Sequence, residues 1–136
     1  MTACRGLRGA TTSEANDREA ILAATRELLA RLMARNSFTP DDIAAAFFTV
    51  TDDLDAEYPA LAARQLGWVD TALMCAREIP VPTSVVQRCI RVLLLVNTEQ
   101  SAAHMRHVYL REAVALRPSR ADEGIEVPVS LENDTL

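Results

Sequence analysis

The chain has 136 residues, enough for one domain with a substantial core, and small enough for oligomerisation to add to its stability. Its net charge of -5 argues against a general nucleic-acid-binding protein, which needs a basic surface to neutralise phosphates. All 14 basic residues are arginine, so no lysine is present to form a Schiff base with a carbonyl substrate.

The cysteines and histidines suggest neither disulfides nor a metal centre. Cys4, Cys75 and Cys89 are odd in number and widely spaced, and the chain has no long apolar run, which predicts a reduced, cytoplasmic protein. His104 and His107 are three residues apart, but no cluster of carboxylates or cysteines at ligand spacing accompanies them. We therefore expect no metal centre, neither zinc nor iron.

The first third of the chain predicts a strand and a long helix. Residues 3–10 are consistent with a short, glycine-containing strand that ends near Thr12. Asn16, with Glu19 three residues later, is the expected N-cap of a helix that Asn36 ends. The apolar face of this helix would be formed by Ile21, Leu22, Thr25, Leu28, Leu29, Leu32 and Met33.

Shorter elements fill the middle of the chain. Thr39 and Pro40 predict the N-cap and first residue of a short helix. The following elements are a strand at 47–51, an acidic turn at 52–55, a short helix at 59–66 ended by Gly67, a strand at 71–75 and an extended connection at 79–82. The carboxylates of the turn are expected in solvent and not around a metal ion.

Residues 89–96 predict a strand that is apolar on both faces except for one arginine. Ile90, Val92, Leu94 and Val96 would share one face, and Arg91 lies on the other. A guanidinium cannot be discharged at ordinary pH, so a buried Arg91 needs an anion from the fold or from a ligand. If Arg91 has only a structural role, it either reaches solvent from an edge strand or pairs permanently with a carboxylate such as Glu78.

The last third predicts a helical turn within 98–104 and a strand over 107–117. Beyond Pro118 the composition is polar and acidic, so we divide the chain into a domain at 1–120 and a tail at 121–136 of a kind that is often mobile. Within the tail, the apolar residues that could pack against the rest of the protein are Ile125, Val127 and Val129. A helix followed by sheet strands with short connections predicts an α+β fold, a mixed sheet packed by one long and several short helices, and not a doubly wound fold.

No motif for a catalytic nucleophile or for phosphate binding is present. A hydrophobic strand end would raise the pKa of Cys75, so a packing or hydrogen-bonding role suits it better than nucleophilic attack. What remains is a set of arginines with one glutamate and one tyrosine. These groups suit recognition of a polycarboxylate, because the planar guanidinium fork matches a carboxylate.

Five ordered blocks of sequence span residues 3–118. They are Arg5-Gly6-Leu7-Arg8-Gly9-Ala10-Thr11-Thr12, Cys75-Ala76-Arg77-Glu78, Cys89-Ile90-Arg91-Val92, Arg106-His107-Val108-Tyr109-Leu110 and Leu116-Arg117-Pro118. These blocks, together with the segment at 53–60 between them, resemble the monofunctional bacterial chorismate mutases of the trimeric pseudo-α/β-barrel class. Five blocks in order with compatible spacing are far more specific than any single block.

The resemblance implies an isomerase that converts chorismate to prephenate in phenylalanine and tyrosine biosynthesis, a branch of the shikimate pathway. The reaction is an intramolecular Claisen rearrangement with no covalent intermediate and no cofactor. It requires no base or nucleophile, which agrees with the absence of such a motif. Catalysis would come from holding the reactive conformer and from complementing the charge separation as the ether bond breaks.

The resemblance also implies roles for individual residues. Arg91 would stabilise the negative charge that develops on the ether oxygen. Arg8 would bind the enolpyruvyl carboxylate, and Tyr109 would hold the same end of the substrate. Glu78 would accept a hydrogen bond from the ring hydroxyl, close to Cys75. The plainer interpretation makes Tyr109 a sheet aromatic, Arg8 a surface cation and Glu78 a loop carboxylate.

Further residues occupy positions that line or close the pocket in such enzymes, although wall residues can equally belong to the core. The chain departs from the family at Leu61, where relatives tend to carry a basic residue, and at 82–87, where they usually have a glycine-containing turn. The additional pocket residues implied are Tyr58, Ala60, Arg64, Met74, Leu116 and Arg117.

The resemblance implies a homotrimer with sites between adjacent subunits, and no nucleic-acid or membrane partner. A small chain with strands apolar on both faces is consistent with burying one sheet face against copies of itself. Two other classes stay open, because one fold hosts unrelated functions. They are a related trimer that deaminates imine-type metabolites and a non-catalytic ligand-binding trimer.

Overall fold

The computed structural model describes residues 1–83 and 86–116, together with the backbone of Ile125–Glu126. Over these residues the fold is α+β, as predicted, with a mixed sheet of six strands in the order β3-β2-β4-β1-β5-β6. The strands are β1 (Ala3–Thr12), β2 (Ile43–Val50), β3 (Ala72–Arg77), β4 (Cys89–Thr98), β5 (His107–Tyr109) and β6 (Ile125–Glu126), and the helices are α1 (Arg18–Arg35) and α2 (Ala60–Gln65).

The antiparallel pairs β1–β4 and β2–β4 form the centre of the sheet. Strands β3 and β5 run parallel to their neighbours β2 and β1. Helix α1 covers one face, and Leu28, Leu29 and Leu32 pack there against the inward residues of β1 and β4 in the main core. Gly9 permits this approach, since a Cβ at that position would lie 2.8 Å from Leu32 Cδ1.

The opposite face of the sheet, here called the outer face, has little cover in a single chain. Its exposed apolar side chains lie side by side, because Phe47 pairs with Met74 on β3 and with Leu93 on β4. Met74 is 59%, Leu93 39% and Phe47 38% exposed. Alternation along β4 also places Arg91 on this face.

The N-cap of α1 differs from the prediction. Asp17 caps the helix, and its carboxylate accepts a hydrogen bond from Ala20 N at 2.8 Å. Asn16 binds the acidic turn instead, where its Oδ1 accepts from the amides of Asp55 and Ala56. Both residues can cap a helix, and the long-range contact of Asn16 leaves Asp17 in that role.

Two predicted strands have different limits in the structure. Strand β2 begins at Ile43, although the predicted strand began at 47. The alanine-rich first half of β2 has a low intrinsic strand preference, but it forms a strand because it lies between β3 and β4 and pairs with them. The strand predicted at 107–117 ends at Tyr109 and is followed by a 3-10 helix at Arg111–Leu116. Arg111 turns the chain there with a φ of 52° and pairs with Glu27.

The other predicted elements occur close to their expected positions, including 3-10 turns at Pro40–Asp42 and Ala102–His104. Gly67, with a φ of 96°, follows the end of α2. The boundary after residue 120 stays a prediction, and most of the tail, with Val127 and Val129, lies outside the described residues. In the described part of the chain, no helix has the length and apolarity needed to span a membrane.

Candidate active site

Arg91 and Glu78 form an ion pair at one end of the outer face. Arg91 Nη2 lies 3.1 Å from Glu78 Oε2, and the side chains are 45% and 26% exposed in the single chain. Glu78 directly follows β3, and its amide donates to Val50 O at 2.8 Å. The fold thus supplies an anion to Arg91 but leaves the pair open to solvent, so both groups can meet a ligand.

The pair borders a cavity of about 340 Å³. Leu116, at the end of the 3-10 helix, forms part of the wall, and Cys89 lies on the same side of β4 as Arg91. Burial raises the pKa of the Cys89 thiol to about 11, although the adjacent Arg91 acts to lower it. Cys89 is therefore a protonated, packed thiol. The lining residues are Thr51, Glu78, Ile79, Val81, Thr83, Val86, Cys89, Arg91 and Leu116.

Arg8 and Tyr109 lie beside Arg91 on the outer face. Ala10 of β1 is opposite both Arg91 and Tyr109, so these residues form one row across three strands. Tyr109 is buried and packs in a cluster with Cys89. Arg8 is the diagonal neighbour of Arg91, at about 7–8 Å between Cα atoms in such a register.

His107 holds the backbone of Arg8. The amide of Arg8 donates to His107 Nδ1 at 3.0 Å, which requires that nitrogen to be unprotonated. Burial, assisted by the positive charge of Arg8, lowers the pKa of His107 to about 4. The imidazole is therefore neutral at pH 7 and serves as a hydrogen-bond acceptor.

Tyr58 and Cys75 line a different cavity, of about 400 Å³, between the loop at 54–59 and β3. Cys75 faces the core, where burial raises the pKa of its thiol, as predicted. The amide of Ala60 at the start of α2 donates to Cys75, and both this bond and the charge of Arg64 lower the pKa again, by less. Within one chain, the residues implied by the resemblance thus divide between two cavities.

Comparison with known proteins decides the family. The family model for chorismate mutase type I matches residues 4–120. The chain belongs to this family. It is 52% identical to chorismate mutase AroH of Thermus thermophilus, over 84% of this chain and 93% of that protein. The corresponding protein of Bacillus subtilis is 41% identical, over 84% and 90% of the two chains.

A solved structure supports the same family. The structure of a chorismate mutase from Clostridium thermocellum superposes with a TM-score of 0.79 at 47% identity. It covers 81% of this chain and 97% of the other. The α+β fold of the chain is therefore the fold of a chorismate mutase.

The remaining residues implied by the family occupy varied positions. Ala60 is buried, Arg64 is exposed on α2, and Met74 projects from the outer face. Leu61 is half-buried beside Ala60. Arg117 lies outside the described residues, as do Ser84 and Val85 in the connection that departs from the usual turn.

Three residues near the candidate site were not predicted to belong to it. Strand alternation predicts Cys89 on the face of Arg91, but no place in the site was assigned to it. Thr51 carried no sequence signal, because its place beside Glu78 depends on how the strands pair. The sequence argues against His107 as a metal ligand but gives no sign that it binds the Arg8 amide.

Proposed function

We propose that this chain, a chorismate mutase by family, rearranges chorismate to prephenate at the outer face of its sheet, in sites completed by neighbouring subunits of a homotrimer. The observation that carries the proposal is the Arg91–Glu78 pair at the edge of a cavity, 3.1 Å apart and still open to solvent. Two neighbouring groups of opposite charge, once separated by the substrate, match a reaction that separates charge within one small molecule.

The pair would act on the two ends of the developing dipole. Arg91 donates to the ether oxygen, on which negative charge grows as the bond breaks. Glu78 accepts from the ring hydroxyl and faces the ring, which becomes electron-poor. Because the pair is partly exposed, its direct contact is worth little, on the order of 0–1 kcal/mol, and substrate can enter between the two groups at low cost.

The neighbours of Arg91 provide for substrate binding. Arg8 is close enough on the same face to hold the enolpyruvyl carboxylate with its guanidinium fork. Tyr109, anchored by packing against Cys89, supports the same end of the substrate. Because Glu78 would hold the ring hydroxyl at the other end, the enolpyruvyl group would be kept over the ring, which is the main requirement of an intramolecular rearrangement.

The second cavity suggests how subunits share the site. Tyr58 and Cys75 line a wall that contains neither Arg91 nor Glu78, and the exposed Arg64 is close enough to Cys75 for its charge to lower the pKa of that thiol. The outer face carries the apolar row of Met74, Phe47 and Leu93, which a neighbouring chain would cover. We propose that this wall, with Ala60 next to it in sequence, closes the Arg91 cavity of the adjacent subunit, which Leu116 already lines. The resemblance implies Arg117 as a further pocket residue.

The assay for this function needs only purified protein and chorismate. Loss of the diene absorbance, with prephenate identified as the product and no cofactor added, is the expected result. Stable absorbance with a folded trimer would refute the mutase proposal. Binding of chorismate without turnover would favour a ligand-binding trimer, and ammonia release from an imine substrate would favour a deaminase. We further propose a cytoplasmic location, since Cys4, Cys75 and Cys89 are unpaired.

A further inference from the structure

The first residues of β4 are held by the acidic turn that follows β2. Asp53 Oδ1 accepts from Thr51 Oγ1 at 2.6 Å, and Asp53 Oδ2 accepts from Arg88 N at 2.9 Å. Thr51 Oγ1 in turn accepts from Cys89 N at 2.9 Å. The backbone amides of Arg88 and Cys89 therefore donate to the side chains of Asp53 and Thr51, which are hydrogen-bonded to each other.

The backbone at this point has an uncommon conformation. Arg88 has a φ of 48°, in the left-handed region that residues with a Cβ seldom adopt. Ser13 holds the other side of the residue, because its amide donates to Arg88 O at 2.8 Å and its carbonyl accepts from Arg88 Nε at 2.9 Å. The Asp53 contact is the one that satisfies the Arg88 amide, so it helps to keep this conformation.

This conformation sets the direction in which β4 begins, and Arg91 is three residues further on. Thr51 lines the same cavity as Arg91 and Glu78, and Thr51 N donates to Cys89 O at 3.1 Å. The adjacent Val50 O accepts from Glu78 N. The segments that carry the two charged groups are thus both attached at the end of β2.

We propose that Asp53 and Thr51 form a clamp that positions Arg91 for the rearrangement. The clamp acts through Arg91 and needs no contact of its own with the substrate. This inference rests on the proposed function, and it assigns to the acidic turn a part in catalysis beyond that of a solvated loop.

The chain offers a matched pair of variants, Asp53→Asn and Asp52→Asn. Both remove one negative charge from the same turn, but the Asp52 carboxylate contacts the exposed side chain of Arg77, at 3.1 Å, and not the start of β4. An asparagine at 53 must direct its amide group toward either the Arg88 amide or the Thr51 hydroxyl, which weakens one of the two bonds.

The expected result is a selective loss of turnover. We expect Asp53→Asn to lower kcat by about tenfold to a hundredfold, because small misplacements of a catalytic group cost this much, with KM changed less. Asp52→Asn should stay within about twofold of the wild type, because it loses only an exposed ion pair with Arg77. Equal losses in the two variants, or an unchanged kcat in folded Asp53→Asn protein, would overturn the clamp.

Thr51 provides a second test with its own control. Thr51→Val keeps the shape of the side chain and removes the hydroxyl, whereas Thr51→Ser keeps the hydroxyl. We expect the valine variant to lose kcat and the serine variant to recover most of it. A fully active valine variant, shown by denaturant unfolding to be folded, would contradict the proposal.

Amide hydrogen exchange supplies a readout independent of turnover. The amides of Arg88 and Cys89 should exchange faster in Asp53→Asn than in Asp52→Asn, and unchanged exchange would refute the clamp. If wild-type protein leaves chorismate unchanged, the proposed function fails. If wild-type turnover is normal and Asp53→Asn is equally fast, only the clamp fails.

Discussion

Replacing Arg91 by alanine should separate catalysis from stability. In the single chain the Arg91–Glu78 pair is 45% and 26% exposed, and exposed ion pairs contribute about 0–1 kcal/mol to folding. Removing one well-placed donor to a developing oxyanion costs about 3–4 kcal/mol of the barrier, or about a hundredfold to a thousandfold in kcat. The loss in turnover should therefore greatly exceed the loss in stability.

The assay compares kcat with chorismate, denaturant unfolding and sedimentation for Arg91→Ala and a control. Arg5→Ala is suitable, because the Arg5 side chain donates an exposed hydrogen bond to Gln100 O at 3.2 Å and lines neither of the two cavities. The control should keep its kcat within about twofold. A misassembled or strongly destabilised Arg91→Ala protein would show that the arginine is structural, and unchanged turnover would refute its catalytic role.

Three further changes test other parts of the account. Leu93→Asp places a charge in the outer apolar row and should yield smaller assemblies in sedimentation, whereas an intact trimer would contradict the proposed interface. Gly9→Ala should lower the free energy of unfolding by about 1–3 kcal/mol in urea titrations, because its Cβ meets Leu32 at 2.8 Å. In the folded protein the pKa of His107 is lowered from 6.5 to about 4, so the unfolded chain is protonated before the folded chain as the pH falls. The free energy of unfolding should therefore decrease as pH drops from 6.5 toward 4. His107→Asn, which retains an acceptor for Arg8, should lose that part of the pH dependence, and an unchanged pH profile would argue against it.

Elements with strong periodicity were predictable from the sequence. The long helix has a 3.6-residue apolar pattern, and β4 is an apolar run of strand length in which Arg91 marks the face turned away from the core. The Ile43–Ala46 half of β2 was not predictable, since alanines become strand only by pairing between two neighbours. The end of β5 depends on Arg111 and its ion pair with Glu27, 84 residues away in sequence.

For the site, the sequence yields the groups but not their arrangement. The pattern along β4 singled out Arg91, and the resemblance supplied its candidate partners. Their register across β1, β4 and β5 comes from the fold. The division of Tyr58 and Arg91 between two cavities is visible only in three dimensions, because it depends on the loop before α2. Residue roles within the site stay predictions.

The most direct test of a site shared between subunits is the activity of mixed trimers. Arg91→Ala and Arg64→Ala each damage one of the two proposed halves, and neither variant alone should be active. In randomly mixed cyclic trimers, about a quarter of the sites combine an intact Arg91 half with an intact Arg64 half. We predict recovery of about a quarter of wild-type kcat per site after co-folding equal amounts of the two inactive proteins. Mixed trimers that stay inactive would contradict the shared site.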